Sequence, residues 1–400
     1  MLRPGTFALT ATLAALTAVG PLSTDMYLAS LPDIGRGLSA PIAQVQLTLS
    51  AYLIGFAVGQ IIYGPISDRH GRKPVLLAAL GLFAAASLLC ALSTSIEMLI
   101  GARFLQALGG SGSIMVARAI VRDLYSGARA GRELSVMGSV MALAPVIAPL
   151  AGGVLQTAFG WRSSFVALML VGAAGIATIW LILPETLKQR AVEPVSPASM
   201  LRSYAIVARN PAYLSYMALA TACYAGLFAW ISGASFVLQN LYGLTPMNFG
   251  IAFALSTVGY LIGTMLAARL VTRLGLDRTI GFGCCALAAG GLGLIGAVAF
   301  GFTTAASLVV PVAVYLAGLG MVLPQSMAGA MTPFPERAGA ASALFGFVQQ
   351  SIAAICGATV GLFLGHDAWP VALAVAIMGV ATGVLWLLTR DVRARASAHI

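Results

Sequence analysis

The 400-residue chain is 60% hydrophobic and only 8% charged, with 22 Lys+Arg against 12 Asp+Glu and a formal net charge of +10. A soluble domain carries about 25% charged residues, so this composition excludes a cytosolic enzyme or a secreted domain and points to a chain that crosses a membrane many times. Forty-five glycines fit the same class, because small residues let membrane helices approach closely.

A membrane-crossing helix needs about 20 mostly apolar residues. Six such runs occur at 7–29, 43–66, 75–94, 97–118, 133–157 and 163–183, and six more at 212–238, 247–268, 279–301, 305–330, 338–364 and 369–389. Arg3 ahead of the first run imitates a signal peptide, but the apolar stretch is too long for one and further spans follow closely, so it is read as retained. The one long polar stretch, 185–211, holds Lys188, Arg190, Arg202 and Arg209 with Pro194, Pro197 and Pro211. It divides the chain into a six-helix bundle over 1–184, a cytoplasmic linker over 185–211, and a six-helix bundle over 212–400. Residues after Thr389 read as a short basic tail. Cys90, Cys223, Cys284, Cys285 and Cys356 sit inside apolar runs without metal-ligand spacing and read as small packing residues, with no metal site.

The basic residues set the orientation. With the amino terminus inside, 19 of the 22 Lys and Arg fall in inner loops and tails, leaving Arg36, Arg103 and Arg162 on or toward the outside. Both termini are therefore expected in the cytoplasm. The positive charge reads as a topology signal with attraction to anionic lipid, not as a nucleic-acid footprint.

The loop after the second span reads Gly64-Pro65-Ile66-Ser67-Asp68-Arg69-His70-Gly71-Arg72-Lys73. A shift of 204 residues places Gly64 on Ala268, Arg69 on Arg273 and Gly71 on Gly275 in the loop after the eighth span. In this loop Gly64 offers close packing at a helix end, Gly71 a tight turn, and Asp68, read as facing the buried side, pairs with Arg72 four residues on. Two halves in parallel repeat, with a site between them near the midplane, is the architecture of major facilitator transporters.

Several segments carry that resemblance further. Gly64–Lys73 resembles the superfamily signature between spans two and three, and Arg103-Phe104-Leu105-Gln106-Ala107-Leu108-Gly109-Gly110 resembles the fourth-span motif associated with proton coupling. Ala144–Gly153, with Pro145, Pro149, Gly152 and Gly153, resembles the fifth-span motif of antiporters, with alanine at Ala144 and Ala148 where the family usually has glycine. Thr24-Asp25-Met26-Tyr27-Leu28 with Pro32, Arg122-Asp123-Leu124-Tyr125 and Phe334–Ser342 are similar to segments of the Bcr/CflA drug-resistance branch. The resemblance covers essentially the whole chain. It implies an all-α membrane protein with twelve transmembrane helices in the major facilitator fold, its two six-helix bundles in pseudo-two-fold repeat. The function it implies is a drug:proton antiporter of the bacterial inner membrane, exporting chloramphenicol- or bicyclomycin-like compounds.

Charge inside a span is costly and is a functional candidate by default. Asp25 and Arg103 are read as the only two charges well within the spans, both on the order of 7–10 Å below the outer boundary at about 1.5 Å per residue. They are assigned to proton coupling, facing each other across the first bundle. Burial and a neighbouring guanidinium act in opposite senses on such a carboxyl. Asp68, Arg72 and Asp123, with Gly64, Gly71, Arg118 and Arg122 beside them, are read as a cytoplasmic gate of solvated ion pairs. Pro145 and Pro149 are expected to kink the fifth span, while Gly138, Gly152 and Gly153 permit close packing. The second half offers no intramembrane charge. A drug pocket needs apolar and aromatic walls with a few polar groups, and Tyr27, Gln106, Tyr224, Trp230, Gln349 and Gln350 are the substrate-binding candidates.

No nucleotide-binding Gly-rich loop with Lys-Ser/Thr occurs, which argues against ATP drive. The three histidines, His70, His366 and His399, form no catalytic constellation, so the chain is not read as an enzyme. No cofactor is expected, the proton gradient being the energy source. The expected partners are a drug, protons and membrane lipid, with a monomer as the functional form. The competing reading keeps the fold but makes the chain a facilitator or symporter of a small metabolite such as an amino acid or sugar.

Overall fold

The computed structural model describes residues 7–125, 127–187, 197–301, 304–365 and 367–397; Arg3, Lys188, Arg190, Pro194, His366 and His399 lie outside them. The described residues contain helices and no strand. Two compact units divide the chain, Met1–Val195 and Ser196–Ile400.

The first unit holds α1 (Phe7–Asp25), a 3-10 turn (Leu28–Ser30), α2 (Leu31–Gly37), α3 (Ile42–His70), α4 (Arg72–Ala91), α5 (Ile96–Leu124), α6 (Gly127–Phe159) and α7 (Arg162–Ile182). The second holds α8 (Pro197–Val207), α9 (Pro211–Ser235), α10 (Pro246–Leu274), α11 (Leu276–Ala299) and α12 (Ala305–Met331). It closes with α13 (Ala338–Phe363), α14 (Trp369–Leu388) and α15 (Arg390–Ser397). Eleven of these helices are long and apolar enough to cross a membrane among the described residues. The twelfth is α1, which carries Pro21 and ends on Ser23-Thr24-Asp25. Large apolar side chains such as Trp180, Leu181, Leu362, Phe363 and Leu388 lie exposed on the outer faces, a surface that only a lipid environment tolerates.

Helix ends follow local chemistry. Ser95 caps α5, accepting from the Met98 amide at 3.2 Å. Asn210 and Thr245 cap α9 and α10, each with proline at the first helical position. Gly71 (φ +100°) and Gly275 (φ +79°) break the chain between α3 and α4 and between α10 and α11, a backbone region that glycine enters without strain.

The repeat recurs at this level, with the 204-residue shift kept at both ends by α3 and α10. α3 and α10 are both 29 residues long and start and end 204 positions apart. α3 packs on α5 as α10 packs on α12, and α4 lies between α5 and α7 as α11 lies between α12 and α14. The crossings use matched glycines. A Cβ on Gly55 would come within 2.3 Å of the Phe104 carbonyl and one on Gly59 within 1.8 Å of Ser111 Oγ. Gly259 and Gly263 would each come within 2.0 Å of a carbonyl, on Ala313 and Ala317. These four glycines also stand 204 residues apart in pairs, and they set how closely the backbones cross.

Several expectations change. Span one does not run on to residue 29. α1 stops at Asp25 because Pro21 weakens its last turns and the Ser23 and Thr24 hydroxyls bond back to the Val19 and Gly20 carbonyls at 2.7 and 2.9 Å. The chain then continues through the 3-10 turn and α2, with Leu28, Ser30, Leu31 and Ile34 buried, so Asp25 sits at a break inside the bundle and not a few residues from an exit. α9 also departs from α geometry, widening into a π-helical turn over Phe236–Leu241. The linker is not wholly irregular, since α8 occupies part of it. The described part of the basic tail is helical: Thr389 is followed by α15, and Arg393 in it is 1% exposed. Gly64 lies six residues inside α3, and neither it nor Gly138 has a neighbour within 4 Å of an added Cβ, so neither serves close packing. Gly152 does: a Cβ there would meet the Met26 carbonyl at 1.8 Å, which is how α6 fits against the break after α1. Pro145 and Pro149 both lie inside α6, where each removes a backbone donor.

Candidate functional site

In the first unit, Arg103 is the centre of a buried cage. It projects from α5 with 0% exposure, and its guanidinium lies 4.1 Å from the ring centre of Tyr27, 4.3 Å from that of Tyr52 and 5.8 Å from that of Phe165. Aromatic faces stabilise a desolvated cation at this range. Nη1 donates to the Ser23 carbonyl at 3.0 Å and to Gln106 Oε1 at 2.5 Å. Nε and Nη2 have no protein partner.

Asp25, 5% exposed, lies two residues beyond Ser23 on the same helix end. No ion pair joins it to Arg103 among the described residues. The direct pairing expected from matched depth is therefore absent in this conformation. Depth along two helices does not fix rotation, and the guanidinium is turned toward the Ser23 carbonyl. The site thus holds a buried acid two residues along α1 from the carbonyl that anchors a buried cation, with two guanidinium donors uncommitted. Such an arrangement can switch partners when the acid changes charge.

Two substrate candidates belong to this cage instead of to a pocket wall. Tyr27 is fully buried, its hydroxyl 3.3 Å from Thr48 Oγ1 and its ring on Arg103. Gln106 is also fully buried; besides accepting from Arg103, its Nε2 donates to Ser87 Oγ at 2.8 Å. The cage members Tyr52, Ser23 and Phe165 were missed from sequence, where each reads as one more buried residue. Glu133 was missed as well. It lies at the edge of the fifth apolar run, yet is 9% exposed and accepts from the Thr10 hydroxyl at 2.6 Å, so Asp25 and Arg103 are not the only buried charges of the first unit's spans.

A second cluster occupies the end where α3 meets α4. Arg72 is buried at 6% exposure. Its Nε and Nη2 donate to Asp123 at 2.8 and 3.4 Å, and its Nη1 to Asp68 at 2.5 Å and to Ser67 Oγ at 2.7 Å. The buried partner is the arginine; the Asp68 side chain is 48% exposed, contrary to the reading that put the acid on the buried side. The Arg72–Asp123 pair is therefore largely withdrawn from solvent, while the Arg72–Asp68 pair keeps its acid half exposed. Removing one partner of a buried pair costs about 3–5 kcal/mol, because the other is stranded.

Glu185, absent from the sequence reading, completes this cluster. It accepts from the Arg72 and Lys73 amides at 3.0 and 3.2 Å, at the open start of α4. Partial burial would raise its carboxyl, but the amides of Leu187, Arg72, Lys73 and Thr186 outweigh that and hold it below its ordinary value. Arg118 and Arg122 do not join the cluster: Arg118 lies 3.5 Å from Met141 Sδ, and Arg122 is exposed.

In the second unit no charge lies in mid-span among the described residues. α9, α12 and α13 instead gather buried polar atoms without protein partners: Thr221 Oγ1, Trp230 Nε1, Ser232 Oγ, Ser326 Oγ and Gln350 Oε1. Trp230 is 1% exposed. Gln349 points at α9, its Nε2 3.5 Å from the Ala220 carbonyl, and Tyr224 packs on Phe228 with ring centres 4.9 Å apart. Of the predicted candidates, Tyr224, Trp230, Gln349 and Gln350 thus lie on the facing helices α9 and α13. Buried polar atoms left unpaired are rare and call for a reason; here they supply hydrogen-bonding groups in an otherwise apolar setting.

The sequence pattern described as "Major Facilitator Superfamily" matches residues 13–358. Among curated relatives, the chain is 35% identical to "Uncharacterized MFS-type transporter YdgK" of Bacillus subtilis (strain 168), covering 87% of each chain. It is 30% identical to "Bicyclomycin resistance protein homolog" of Haemophilus influenzae, covering 90% of each, and 31% identical to "Multidrug resistance protein D" of Escherichia coli (strain K12), covering 93% of each. A solved structure of the peptide transporter POT in complex with sulfate superposes with a TM-score of 0.77 at 15% identity, over 99% of this chain and 97% of that one.

Proposed function

The chain belongs to the Major Facilitator Superfamily and to its drug-resistance branch, and on that premise we propose that it exports small-molecule drugs of the bicyclomycin or chloramphenicol type in exchange for protons. It is a multi-pass membrane transporter and not an enzyme. In this reading it works as a monomer in a bacterial inner membrane with both termini in the cytoplasm, and the proton gradient drives it without a cofactor.

The observation that carries proton coupling is the uncommitted guanidinium beside a buried carboxyl. Arg103 spends Nη1 on the Ser23 carbonyl and Gln106 and keeps Nε and Nη2 free. With Asp25 protonated, no carboxylate competes for Arg103, and the faces of Tyr27, Tyr52 and Phe165 hold the cation. Loss of the proton leaves a buried carboxylate, and the free donors of Arg103, on α5 and anchored at the Ser23 carbonyl two residues before Asp25, are the group able to take it. A shift of Arg103 from the Ser23 carbonyl to Asp25 then pulls on the break after α1, against which α6 is fitted at Gly152. In this way the proton is linked to a movement of helices. The drug is assigned to the neutral polar group on α9, α12 and α13, where Trp230 and Gln350 provide one donor and one acceptor in an apolar wall.

The test is proton movement in everted vesicles holding a stable pH gradient, with phenicols and bicyclomycin added to wild type and to Asp25→Asn. A drug that collapses the gradient in wild type and not in the variant is the expected result. Equal collapse in both moves the coupling site away from Asp25. No collapse by any drug, with metabolites active instead, replaces export by a metabolite facilitator or symporter.

A further inference from the structure

The second unit contains a buried charge that neither the family motifs nor the function above uses. Arg393, in α15, is 1% exposed. Its Nε donates to Asp277 Oδ1 at 2.6 Å, in the first turn of α11. Nη1 reaches Ser215 Oγ on α9 at 3.3 Å and also bonds Thr389 Oγ1; Nη2 donates to the Trp386 carbonyl, on α14, at 2.7 Å. Trp386 in turn donates from Nε1 to the Asp277 carbonyl at 3.3 Å. A Cβ on Gly281 would lie 2.6 Å from this indole, so a glycine on α11 makes the ring's place.

This cluster stands where the repeat puts the Arg72 cluster of the first unit, with its charges exchanged. After Gly71 comes Arg72, which pairs with acids at the ends of α3 and α5. The matching positions after Gly275 are Leu276 and Asp277, so the position of Arg72 holds a leucine; the arginine in that turn, Arg278, is exposed, and the ion pair of Asp277 is with Arg393. The pairing arginine comes from a helix 116 residues further on. A planar guanidinium can bond three elements at once, which an ammonium cannot do in the same place.

We propose that Arg393 is a positioning residue for transport: the tail helix α15 closes the second bundle's counterpart of the Arg72 cluster and holds the starts of α9 and α11 and the end of α14 in register. The consequence for transport rests on the reading of α9 as the helix that carries the drug-contacting Trp230. Arg393 touches no substrate itself. It fixes the end of a helix whose other end bears the site, so its loss slows the helix movements of the cycle and leaves drug recognition in place.

The experiment uses the full chain in membranes and in detergent, as wild type and Arg393→Lys. Hydrogen–deuterium exchange is read in α15, in the first turns of α9 and α11 and, as an internal reference, in the first turn of α4. The expected result is exchange at least about tenfold faster in all three second-unit segments, the factor by which loss of one charge-assisted hydrogen bond shifts an opening equilibrium, with α4 unchanged. Faster exchange confined to α15 overturns the proposal, because the tail is then a loose end. In vesicles, the maximal rate of drug-driven proton movement per molecule falls at least about tenfold, with the apparent KM unchanged. An unchanged rate per molecule alongside a lower thermal midpoint makes Arg393 merely structural and also overturns it. Should Arg393→Lys fail to reach the membrane, Asp277→Asn removes the charge with little change in shape and is read by the same exchange pattern. If the wild type moves no drug, the drug-export reading fails, while the exchange pattern still decides whether Arg393 holds α9 and α11.

Discussion

The two bundles share a scaffold and differ in where they bury charge. α3 and α10 match in length and position, and each crosses its neighbour through a glycine pair that admits no side chain. Yet the first bundle holds Arg103 and Asp25 deep in its helices, while the second has neutral polar atoms at its centre and places its buried arginine at an end, donated by α15. Backbone-to-backbone crossings leave no alternative residue, so both copies keep them. Charge can be supplied from any helix that reaches the same point, so it has moved. The duplication therefore fixes packing and leaves chemistry free to divide between the halves.

The sharpest break of that comparison is Arg103→Gln. If the first bundle alone carries the coupling charge, no equivalent in the second can replace it. Losing the aromatic-caged cation and its bonds to Ser23 and Gln106 removes more than about 3 kcal/mol of local interaction, and drug-driven proton movement is expected to fall below detection in vesicles. Retained coupled transport at wild-type rate would place the coupling charge elsewhere.

A smaller effect tests the shared scaffold. Gly55→Leu and Gly259→Leu each insert a side chain against a backbone carbonyl in the matched crossings, where overpacking costs about 1–3 kcal/mol. Thermal unfolding in detergent is expected to show both variants lowered by similar amounts. A large loss at one and none at the other would mean that the two copies no longer bear equal packing loads.

Much of this was legible in the sequence because lipid imposes simple rules. Twelve apolar runs, the 204-residue shift and the cost of Arg103 follow from hydropathy and charge alone. What was not legible depends on rotation and on distant partners. Asp25 and Arg103 match in depth, but which way the guanidinium turns is set by the end of α1 and by Tyr27, Tyr52 and Phe165 around it. Tyr27 and Gln106 look like pocket residues in a motif and are consumed by the cage. Glu133 was hidden at a span edge. Arg393 was hidden among basic tail residues that all look like topology signals. The only hint was that the second copy of the loop has Leu276 where the first has Arg72, and Arg278 beside Asp277 masked the need for a distant partner.

The least effect is expected at Glu185, and it separates the two ends by pH. α4 starts on Arg72 and borrows an anion, Glu185, to accept its first amides. α11 carries its own acid, Asp277, in its first turn, and that acid is spent on Arg393. Because the Glu185 carboxyl is held below its ordinary value of 4.5, its contribution is complete above pH 4.5. It is lost only as the pH falls below that value, through the lowered one. Glu185 is exposed, and helix-end charge effects of this kind are modest and screened by salt. Hydrogen exchange in the first turn of α4 should therefore be the same at pH 7 and pH 5.5 after correction for intrinsic rate, and should rise severalfold below about pH 4. Glu185→Gln should show that rise already at pH 7 and be flat thereafter. A wild-type chain whose α4 start loosens between pH 7 and pH 5.5 would contradict this, because no carboxyl held below its ordinary value titrates in that window.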